Sequence, residues 1–421
     1  MEMLFRLLQE FALIYPLFMA YLWMVGGIYY FFHWERAGRQ RPDQPPPLEH
    51  HPGVSVIVPA HNESFAIVET IESLLAQAYP EFEIIVVNDG STDDTAEIVD
   101  RYAARGEVRA IHLATNQGKA AAMRTATLAA RHEFLVCIDG DAVLDRHAIH
   151  WLVRHFIDGP RVGAVTGNPR VRTRSTLLGK LQVGEFSSII GLIKRAQRIY
   201  GRVFTVSGVV VAFRKSALHQ VGYWDLNKLT DDIDISWRLQ MNHWSIRFES
   251  NALCWILMPE TLKGLWRQRL RWAQGGVEVT LAHFSDLMIW RRRHMWPVLA
   301  EFCLSTLWSY TIAVLGVSLL LGQILSMPPL PDVRDWLPSW GGALIGATCL
   351  LQFAVSLTID SRYERGLGRY YYWIIWYPIA FWLINVLTTL VALPRALFGR
   401  RRRAIWTSPD RGEQFHAPAD H

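Results

Sequence analysis

A long apolar segment lies near the start of the chain, and basic residues follow it at once. Residues 11–32 are almost wholly apolar or aromatic, and the next stretch, 33–41, holds three arginines. About 20 apolar residues span a bilayer, and the basic flank of a span lies on the cytoplasmic side. The pattern therefore predicts a membrane helix at 11–32 whose C-terminal end enters the cytoplasm.

Three further apolar runs, 296–325, 341–359 and 370–393, predict about three more spans near the C-terminus. If the middle of the chain is cytoplasmic, three crossings would place the end of the chain outside. The four arginines at 400–403 favour the inside by the same charge rule. Either one segment is re-entrant or interfacial, or the charge rule fails here.

Between these ends, short apolar strands alternate with helical segments, as in a doubly wound, mostly parallel α/β sheet. The first four predicted strands are 54–59, 83–87, 108–113 and 134–138. The later part is less regular, with predicted strands at 162–166 and 203–213, a long helix at 177–200 and a hairpin or paired strands at 245–257. The sequence contains no P-loop and no dinucleotide G-x-G-x-x-G motif, which disfavours an ATPase or a dehydrogenase.

Residues 261–283 combine an apolar stripe with basic side chains. The apolar positions near one helical face are Leu262, Leu265, Trp266, Leu270, Ala273 and Val277, and the basic positions around the rest are Lys263, Arg267, Arg269 and Arg271. Such a helix is typical of a membrane interface, and a soluble helix packed on the sheet is the alternative. The predicted segments are an extension (1–10), a span (11–32), a linker (33–52), an α/β domain (53–260), an interface helix (261–290), spans (296–394) and a basic tail (395–421).

The composition agrees with a membrane protein. The 421 residues are 51% hydrophobic, and much of the net charge of +5 comes from basic clusters beside the apolar runs. Such clusters favour a lipid surface, so no nucleic-acid partner is predicted. The four cysteines lack metal-ligand spacing and fit a reducing cytoplasm.

Carboxylates follow two of the predicted strands, at the edge where open α/β sheets bind ligands. Asp89 follows the strand at 83–87, and Asp139 and Asp141 follow the strand at 134–138. Two closely spaced carboxylates suit a hard divalent cation that keeps sites open for phosphate oxygens. An ordinary Asp-Gly turn is the alternative for this pair taken alone.

Five motifs occur in a specific order: Pro-Ala-His-Asn-Glu (59–63), Val-Asn-Asp-Gly-Ser-Thr-Asp (87–93), Asp-Gly-Asp (139–141), Thr-Asp-Asp (230–232) and Gln-Arg-Leu-Arg-Trp (268–272). In this order, and between membrane spans, they resemble the processive family 2 glycosyltransferases, the group of the cellulose, chitin and hyaluronan synthases. The resemblance implies a GT-A-like (Rossmann-like) glycosyltransferase domain in the cytosol, inserted between transmembrane helices. Its motif for 230–232 has Glu at the position of Asp231, but the final Asp is kept.

Three longer stretches, 165–170, 255–266 and 406–412, narrow this resemblance. They are similar to the branch of the family that polymerises N-acetylglucosamine through β-1,6 bonds at the bacterial inner membrane, for the polysaccharide of biofilms. The implied reaction is the displacement of UDP from the anomeric carbon of a UDP-sugar by a sugar hydroxyl.

The resemblance also implies a donor site at the sheet edge. Asp141 would bind Mg²⁺ or Mn²⁺, a Lewis acid toward the diphosphate, and Asp139 would lie near the nucleotide. Asp89 would contact the uracil or the ribose. The remaining predicted residues of this part are Pro59, Glu63 and Lys119. For Lys119, a solvated lysine at a helix start is the alternative.

Asp232 is the implied general base, and Asp231 would lie beside the acceptor. A base at neutral pH works best with a raised pKa, which like-charge repulsion from Asp231 and Asp234 would supply. An acidic helix start stabilised by the helix dipole is the alternative. One base without a second carboxylate nucleophile implies inversion, from an α-linked donor to a β-linked product.

The motif at 268–272 would serve both substrates. Arg271 would hold the diphosphate bidentately, with Gln268 and Arg269 in support, and it completes the predicted catalytic set with Asp139, Asp141 and Asp232. Trp272 would offer a flat face to the acceptor sugar, and a membrane-interface anchor is its alternative.

The implied ligands and partners are UDP-N-acetylglucosamine, the growing polysaccharide, the lipid bilayer, a small membrane partner subunit and cyclic di-GMP as an activator. The spans would form a channel through which the polymer leaves. Two rivals remain. One is another reaction of the same kind, namely a hyaluronan-, chitin- or cellulose-type synthase or a single transfer to a lipid. The other is a non-catalytic membrane scaffold or transporter.

Overall fold

A central sheet organises the middle of the chain. The computed structural model describes residues 2–36, 41–325, 340–399 and 406. The strands of the sheet are β1 (Val54–Ala60), β2 (Phe82–Asp89), β3 (Arg109–Leu113), β4 (Phe134–Ile138), β5 (Val143–Leu144), β6 (Val162–Val171), β7 (Val210–Arg214) and β8 (Ser245–Ile256). Their order across the sheet is β3-β2-β1-β4-β7-β6-β8-β5.

The first half of the sheet is parallel, and helices cover both of its faces. Strands β3, β2, β1 and β4 pair in parallel, and every residue of β1 is buried. Val56 and Val58 of β1 join one hydrophobic cluster, whereas Ile57 between them joins a second cluster. This alternation between two cores confirms the predicted doubly wound α/β architecture, because side chains alternate across a strand.

The second half is mixed rather than parallel. Strand β7 runs antiparallel to β4 and β6, and β5 runs antiparallel to β8. The helices between β1 and residue 287 are α2 (Ile67–Leu75), α3 (Thr95–Ala104), α4 (Lys119–Ala129), α5 (Ala148–Ile157), α6 (Leu177–Phe186), α7 (Lys194–Tyr200), α8 (Lys215–Gln220), α9 (Asp231–Met241) and α10 (Leu262–Leu287). A π-helical segment, Ser187–Ile193, connects α6 to α7, so the predicted helix at 177–200 is continuous.

Two of the strand predictions are only partly correct. Of the predicted strand at 203–213, only the last part pairs in the sheet, as β7 (Val210–Arg214). The backbone N–H groups of earlier residues donate to side chains instead. Val206 N–H donates to Ser236 Oγ (2.9 Å), and Ser207 N–H donates to Thr166 Oγ1 (2.8 Å). The segment 245–257, predicted as a hairpin or paired strands, is a single strand, β8, which pairs with β6 through a register shift instead of turning back.

Among the residues that the structure describes, four helices are long and apolar enough to cross a membrane: Met3–Arg36, Trp290–Gly322, Gly341–Asp360 and Phe381–Phe398. The helices of these regions are α1 (Glu2–Tyr30), α11 (Trp296–Leu325), α12 (Trp340–Asp360), α13 (Tyr371–Ile374) and α14 (Tyr377–Phe398), and Phe31–Arg36 is π-helical.

Two boundaries differ from the predictions. The extension predicted at 1–10 is helical from Glu2, because its residues continue the apolar helix α1. The run at 370–393 is interrupted before α14, whose first turn holds a proline. Proline suits that position because the N–H it lacks has no partner within the helix there.

A buried ion network ties these helices to the α/β domain. The guanidinium of Arg195 in α7 contacts Glu35 at the end of the N-terminal helix (2.7 Å) and Asp360 at the end of α12 (3.0 Å). The second oxygen of Asp360 contacts Arg170 of β6 at 2.5 Å. Arg195 and Asp360 are fully buried. A buried charge whose partner is removed is strongly destabilising, so the network constrains how the apolar helices dock on the domain.

We predict that Arg195→Met destabilises the protein by about 3–5 kcal/mol, because Glu35 would remain buried without its partner. Chemical denaturation of the detergent-solubilised chain measures this. The matched control is Arg105→Gln, which breaks the exposed Arg105–Glu107 pair and should change little. Equal stability of the two variants would contradict the role of the network.

Candidate active site

The Asp139-Gly140-Asp141 turn lies directly against the end of β1 and the segment that follows it. A Cβ on Gly140 would come within 3.2 Å of the Pro59 carbonyl oxygen and of Glu63 Cγ, so glycine permits this close approach. Glu63 is buried, and its backbone N–H donates to Thr95 Oγ1 at 2.8 Å. The structure thus brings together Pro59, Glu63, Asp139 and Asp141, which lie on two separate predicted motifs.

Asp89 organises the start of α4. Its two carboxylate oxygens accept hydrogen bonds from the backbone N–H groups of Gln117 and Gly118, each at 2.7 Å, and its side chain is fully buried. Gly118 has a φ of +93°, which glycine adopts readily. Asp89 therefore positions the turn that leads into Lys119, and its contact with uracil or ribose stays a prediction.

Lys119 faces the carboxylates and does not extend into solvent. Its ammonium forms an ion pair with Asp139 and donates to the Gly208 carbonyl oxygen at 3.1 Å. Burial by itself would lower the pKa of Lys119, but Asp139 and Asp231 raise it above its usual value. Burial raises the pKa of Asp139 and Asp141 raises it further, whereas Lys119 opposes the rise. The ion pair with Asp139 therefore disfavours the solvated-lysine alternative.

Asp232 adjoins this pair from the other half of the domain. A Cβ on Gly208 would lie 3.6 Å from Asp232 Oδ2 and 3.6 Å from Lys119 Nζ. Asp232 Oδ1 accepts from the N–H of Ile233 at 2.9 Å. The first turn of α9 therefore presents Asp231 and Asp232 beside the Asp139–Lys119 pair.

Burial raises the pKa of Asp232 to about 6, and Asp231 adds to the rise, while Lys119 and Arg271 oppose it. The predicted contribution of Asp234 is wrong, because Asp234 pairs with Arg238 (2.6 Å) and His283 (2.8 Å). These partners outweigh burial and lower the pKa of Asp234. The raised pKa of Asp232 suits a general base at neutral pH.

A buried lysine that the sequence reading missed supports the same region. Lys194 of α7 donates to Ser207 Oγ (2.6 Å) and to Thr166 Oγ1 (3.3 Å), next to Gly208. Burial lowers its pKa to about 7, and Asp232 acts in the opposite direction. The sequence feature that could have identified Lys194 is the basic pair Lys194-Arg195, which interrupts an otherwise apolar stretch of the helix predicted at 177–200.

The side chains of the Gln-Arg-Leu-Arg-Trp motif (268–272) on α10 lie in two different environments, one exposed and one buried. Arg271 is exposed, its Nη1 lies 3.5 Å from the Leu229 carbonyl oxygen, and its charge acts on Asp232. The side-chain nitrogen of Gln268, Nε2, lies 4.0 Å from Met258 Sδ. Arg269 was predicted on the outer basic face and beside the diphosphate. The predicted outer position is wrong, because its guanidinium turns inward to the buried carboxylate of Glu185 at 2.5 Å. This contact disfavours the predicted support of the diphosphate, which nothing else in the structure tests.

One residue of the C-terminal tail reaches the sheet edge. Trp406 exchanges two hydrogen bonds with the side chain of Asn116, at 2.8 Å and 3.2 Å. Its ring centroid is 6.3 Å from that of His61, whose Nδ1 bonds to the Asp89 carbonyl oxygen at 2.7 Å. The other residues of the predicted tail motif, 407–412, and the basic cluster 400–403 lie outside the described residues.

Known proteins with similar sequences match most of the chain. A sequence model described as glycosyltransferase like family 2 matches residues 51–275. Poly-β-1,6-N-acetyl-D-glucosamine synthase of Staphylococcus epidermidis is 40% identical over 409 residues, which cover 96% of this chain and 98% of the relative. The synthase of the same name from Staphylococcus aureus (strain COL) is 39% identical over 408 residues, with the same coverage.

Among solved structures, a mannosyltransferase from Pyrobaculum calidifontis in complex with GDP-Man and Mn²⁺ has a similar fold. Its TM-score is 0.61 at 20% identity, and the match covers 93% of this chain and 99% of that chain. This likeness supports the predicted GT-A-like fold.

We predict that kcat/KM falls as pH drops below about 6, because the base form of Asp232 is lost as pH falls through its pKa. Replacing Asp231 with Asn removes a like charge and should move the midpoint to lower pH. The measurement is the initial rate of UDP release from about pH 5 to about pH 8. A midpoint that is identical in both proteins would remove the support for Asp232 as the base.

Proposed function

The chain belongs to glycosyltransferase family 2, and from this premise we propose that it polymerises N-acetylglucosamine from UDP-N-acetylglucosamine into poly-β-1,6-N-acetyl-D-glucosamine. The proposed substrate is supported by the 40% identity, over 96% of the chain, to the synthase of that polymer. The chain is a glycosyltransferase, and the proposal concerns its sugar, its linkage, its export step and its role in biofilm formation.

In the proposed reaction, the acceptor 6-hydroxyl oxygen forms a bond to the anomeric carbon of the donor. The bond from that carbon to the β-phosphate oxygen breaks, and UDP leaves with the electron pair. Asp232 takes the hydroxyl proton, and attack opposite the leaving group inverts the configuration. Asp232 is suited to this because it lies beside the Asp139–Lys119 pair and has a raised pKa.

A divalent cation fits the proposed donor site. Asp141 supplies carboxylate oxygens at the end of β4, the ligand type that Mg²⁺ prefers. Within the described part of the chain, no three His, Cys, Asp or Glu side chains form a complete metal site. Asp141 would therefore hold the ion together with the donor diphosphate, where the ion supplies Lewis-acid stabilisation of the leaving group. Lys119 and Arg271 supply further positive charge there.

A cavity among the apolar helices supports the proposed export of the polymer. It has a volume of about 260 Å³ and lies between α1, the 187–193 segment, α11, α12 and α14. Its lining includes Trp23, Ser188, Trp308, Gln352 and Asn385. Aromatic faces and amide groups are the side chains that stack on and hydrogen-bond to sugars. We propose that this cavity is part of the path of the polymer.

The proposal is tested in membranes that contain the chain, UDP-N-acetylglucosamine and Mg²⁺, with UDP release and polymer measured together. We expect polymer that a β-1,6-N-acetylglucosaminidase degrades, and loss of both signals with a metal chelator. Asp232→Asn should reduce turnover by at least about 100-fold, because general-base catalysis contributes roughly that much. The control is Asp225→Asn, a half-buried carboxylate in the loop before α9.

Other outcomes separate the rivals. Turnover with a different UDP-sugar would keep the mechanism and discard the substrate, in favour of a hyaluronan-, chitin- or cellulose-type synthase. UDP release without polymer would indicate single transfer. No turnover with any donor would favour a non-catalytic scaffold. The same assay, with cyclic di-GMP and a small membrane subunit added, tests those two predictions, and absence of any stimulation would contradict them.

We propose an inner-membrane topology in which the catalytic domain and the tail share the cytoplasmic side. Trp406 contacts Asn116 of the domain, so the chain between them crosses the membrane an even number of times. Three apolar helices lie in that interval, and α14 makes its most extensive contacts with α10, the helix that follows the domain. We infer that α14 does not cross the membrane. This satisfies the charge rule for residues 400–403.

A reporter fused after His421 tests this topology. We expect a fluorescent protein to be bright and alkaline phosphatase to be inactive at that position, as for a cytoplasmic end. The matched control places the same reporters in the 326–339 region, where the phosphatase should be active. An active phosphatase after His421 would show that α14 crosses.

A further inference from the structure

The inward turn of Arg269 places a buried charge beneath the proposed acceptor platform. Arg269 lies one helical turn before Trp272 on α10, and side chains three residues apart on a helix are neighbours. The centre of its guanidinium lies 4.5 Å from the centroid of the Trp272 ring. Arg269 is 5% exposed, whereas Trp272 is half-buried and packs at the edge of the main hydrophobic core.

Three elements hold this guanidinium in place. Glu185 of α6 accepts its Nη2–H at 2.5 Å, and Tyr377 of α14 donates to the other oxygen of Glu185 at 3.3 Å. Phe381 of α14 lies 6.0 Å from the guanidinium on a further side. Burial raises the pKa of Glu185, and the charge of Arg269 opposes the rise. A cation fixed in this way has little freedom to leave the indole face.

The arrangement has a direct consequence for Trp272. A desolvated cation over an indole face attracts it more strongly than an exposed one, and a planar guanidinium also orients the ring. The carboxylate of Glu185, the guanidinium of Arg269 and the indole of Trp272 therefore form a continuous contact from α6 to the acceptor side of α10. No donor-site residue described above takes part in it.

We propose that Glu185 and Arg269 are positioning residues that orient Trp272 to receive the terminal sugar of the growing polymer. The proposal rests on the proposed function, in which Trp272 is the acceptor platform. It replaces the predicted role of Arg269 at the diphosphate. The pair thereby favours retention of the polymer between successive additions over its release.

The test compares product length with donor binding in purified chains. The main variant is the double replacement Glu185→Gln and Arg269→Met, which removes both charges and so leaves neither unpaired, and keeps an acceptor for Tyr377. We expect polymer about tenfold shorter, with the donor KM and the Kd of UDP unchanged, because cation–π attraction is lost only on the acceptor side. Arg269→Lys should give intermediate lengths, because it keeps a cation under the ring.

Trp272→Ala provides the matched comparison. It should shorten the polymer by itself, and the double replacement should add little in the Trp272→Ala background, because all three residues act through one contact. Additive effects of the two changes would contradict the proposal. A tenfold or larger rise in the donor KM with unchanged polymer length would return Arg269 to the donor site.

The same set of variants distinguishes a failure to fold from a failure of the proposed function. Arg269→Lys keeps the buried charge pair and should therefore fold. The proposal would be overturned if Arg269→Lys gave polymer of wild-type length while the double variant either gave wild-type length or failed to fold. If the wild-type chain polymerised a different UDP-sugar, the proposed substrate would be wrong. The same comparison with that donor would still decide whether the pair positions Trp272.

Discussion

The ion network around Arg195 is the interaction on which the arrangement of the molecule depends. Its guanidinium joins Glu35 at the end of the N-terminal helix and Asp360 at the end of α12, with Arg170 of the sheet on the far side. Charges buried in this way are held only by their partners. The apolar helices and the catalytic domain are therefore constrained to dock in one arrangement.

The same helix, α7, extends this constraint to the proposed catalytic residues. Lys194, the residue before Arg195, holds Ser207, and the neighbouring Gly208 lies against Asp232 and Lys119. Farther along α7, Gln197 contacts both Glu301 of α11 and the backbone of Phe204. One short helix thus contacts the apolar helix α11 on one side and the loop beside Asp232 on the other. A polymerase that exports its product needs such a fixed relation between synthesis and exit.

Much of the fold and of the site was accessible from the pattern of residues. The parallel strands were predicted because each is a short apolar run bounded by turn residues, and their carboxyl ends placed Asp89, Asp139 and Asp141 at one edge. The first part of the segment predicted as a strand at 203–213 is not a strand, because side chains from α7, α9 and β6 accept hydrogen bonds from its backbone N–H groups. Such long-range partners leave no periodic signal.

The sequence by itself determined the family, the α/β architecture and which carboxylates begin or end the elements at the site, because these follow from local periodicity and from motif order. Only the tertiary structure decided which side chains meet. Arg269 and Glu185 are separated by 84 residues, and Arg195 and Glu35 by 160. A helical pattern shows that Arg269 and Trp272 share a face, but what lies opposite that face depends on how distant segments pack.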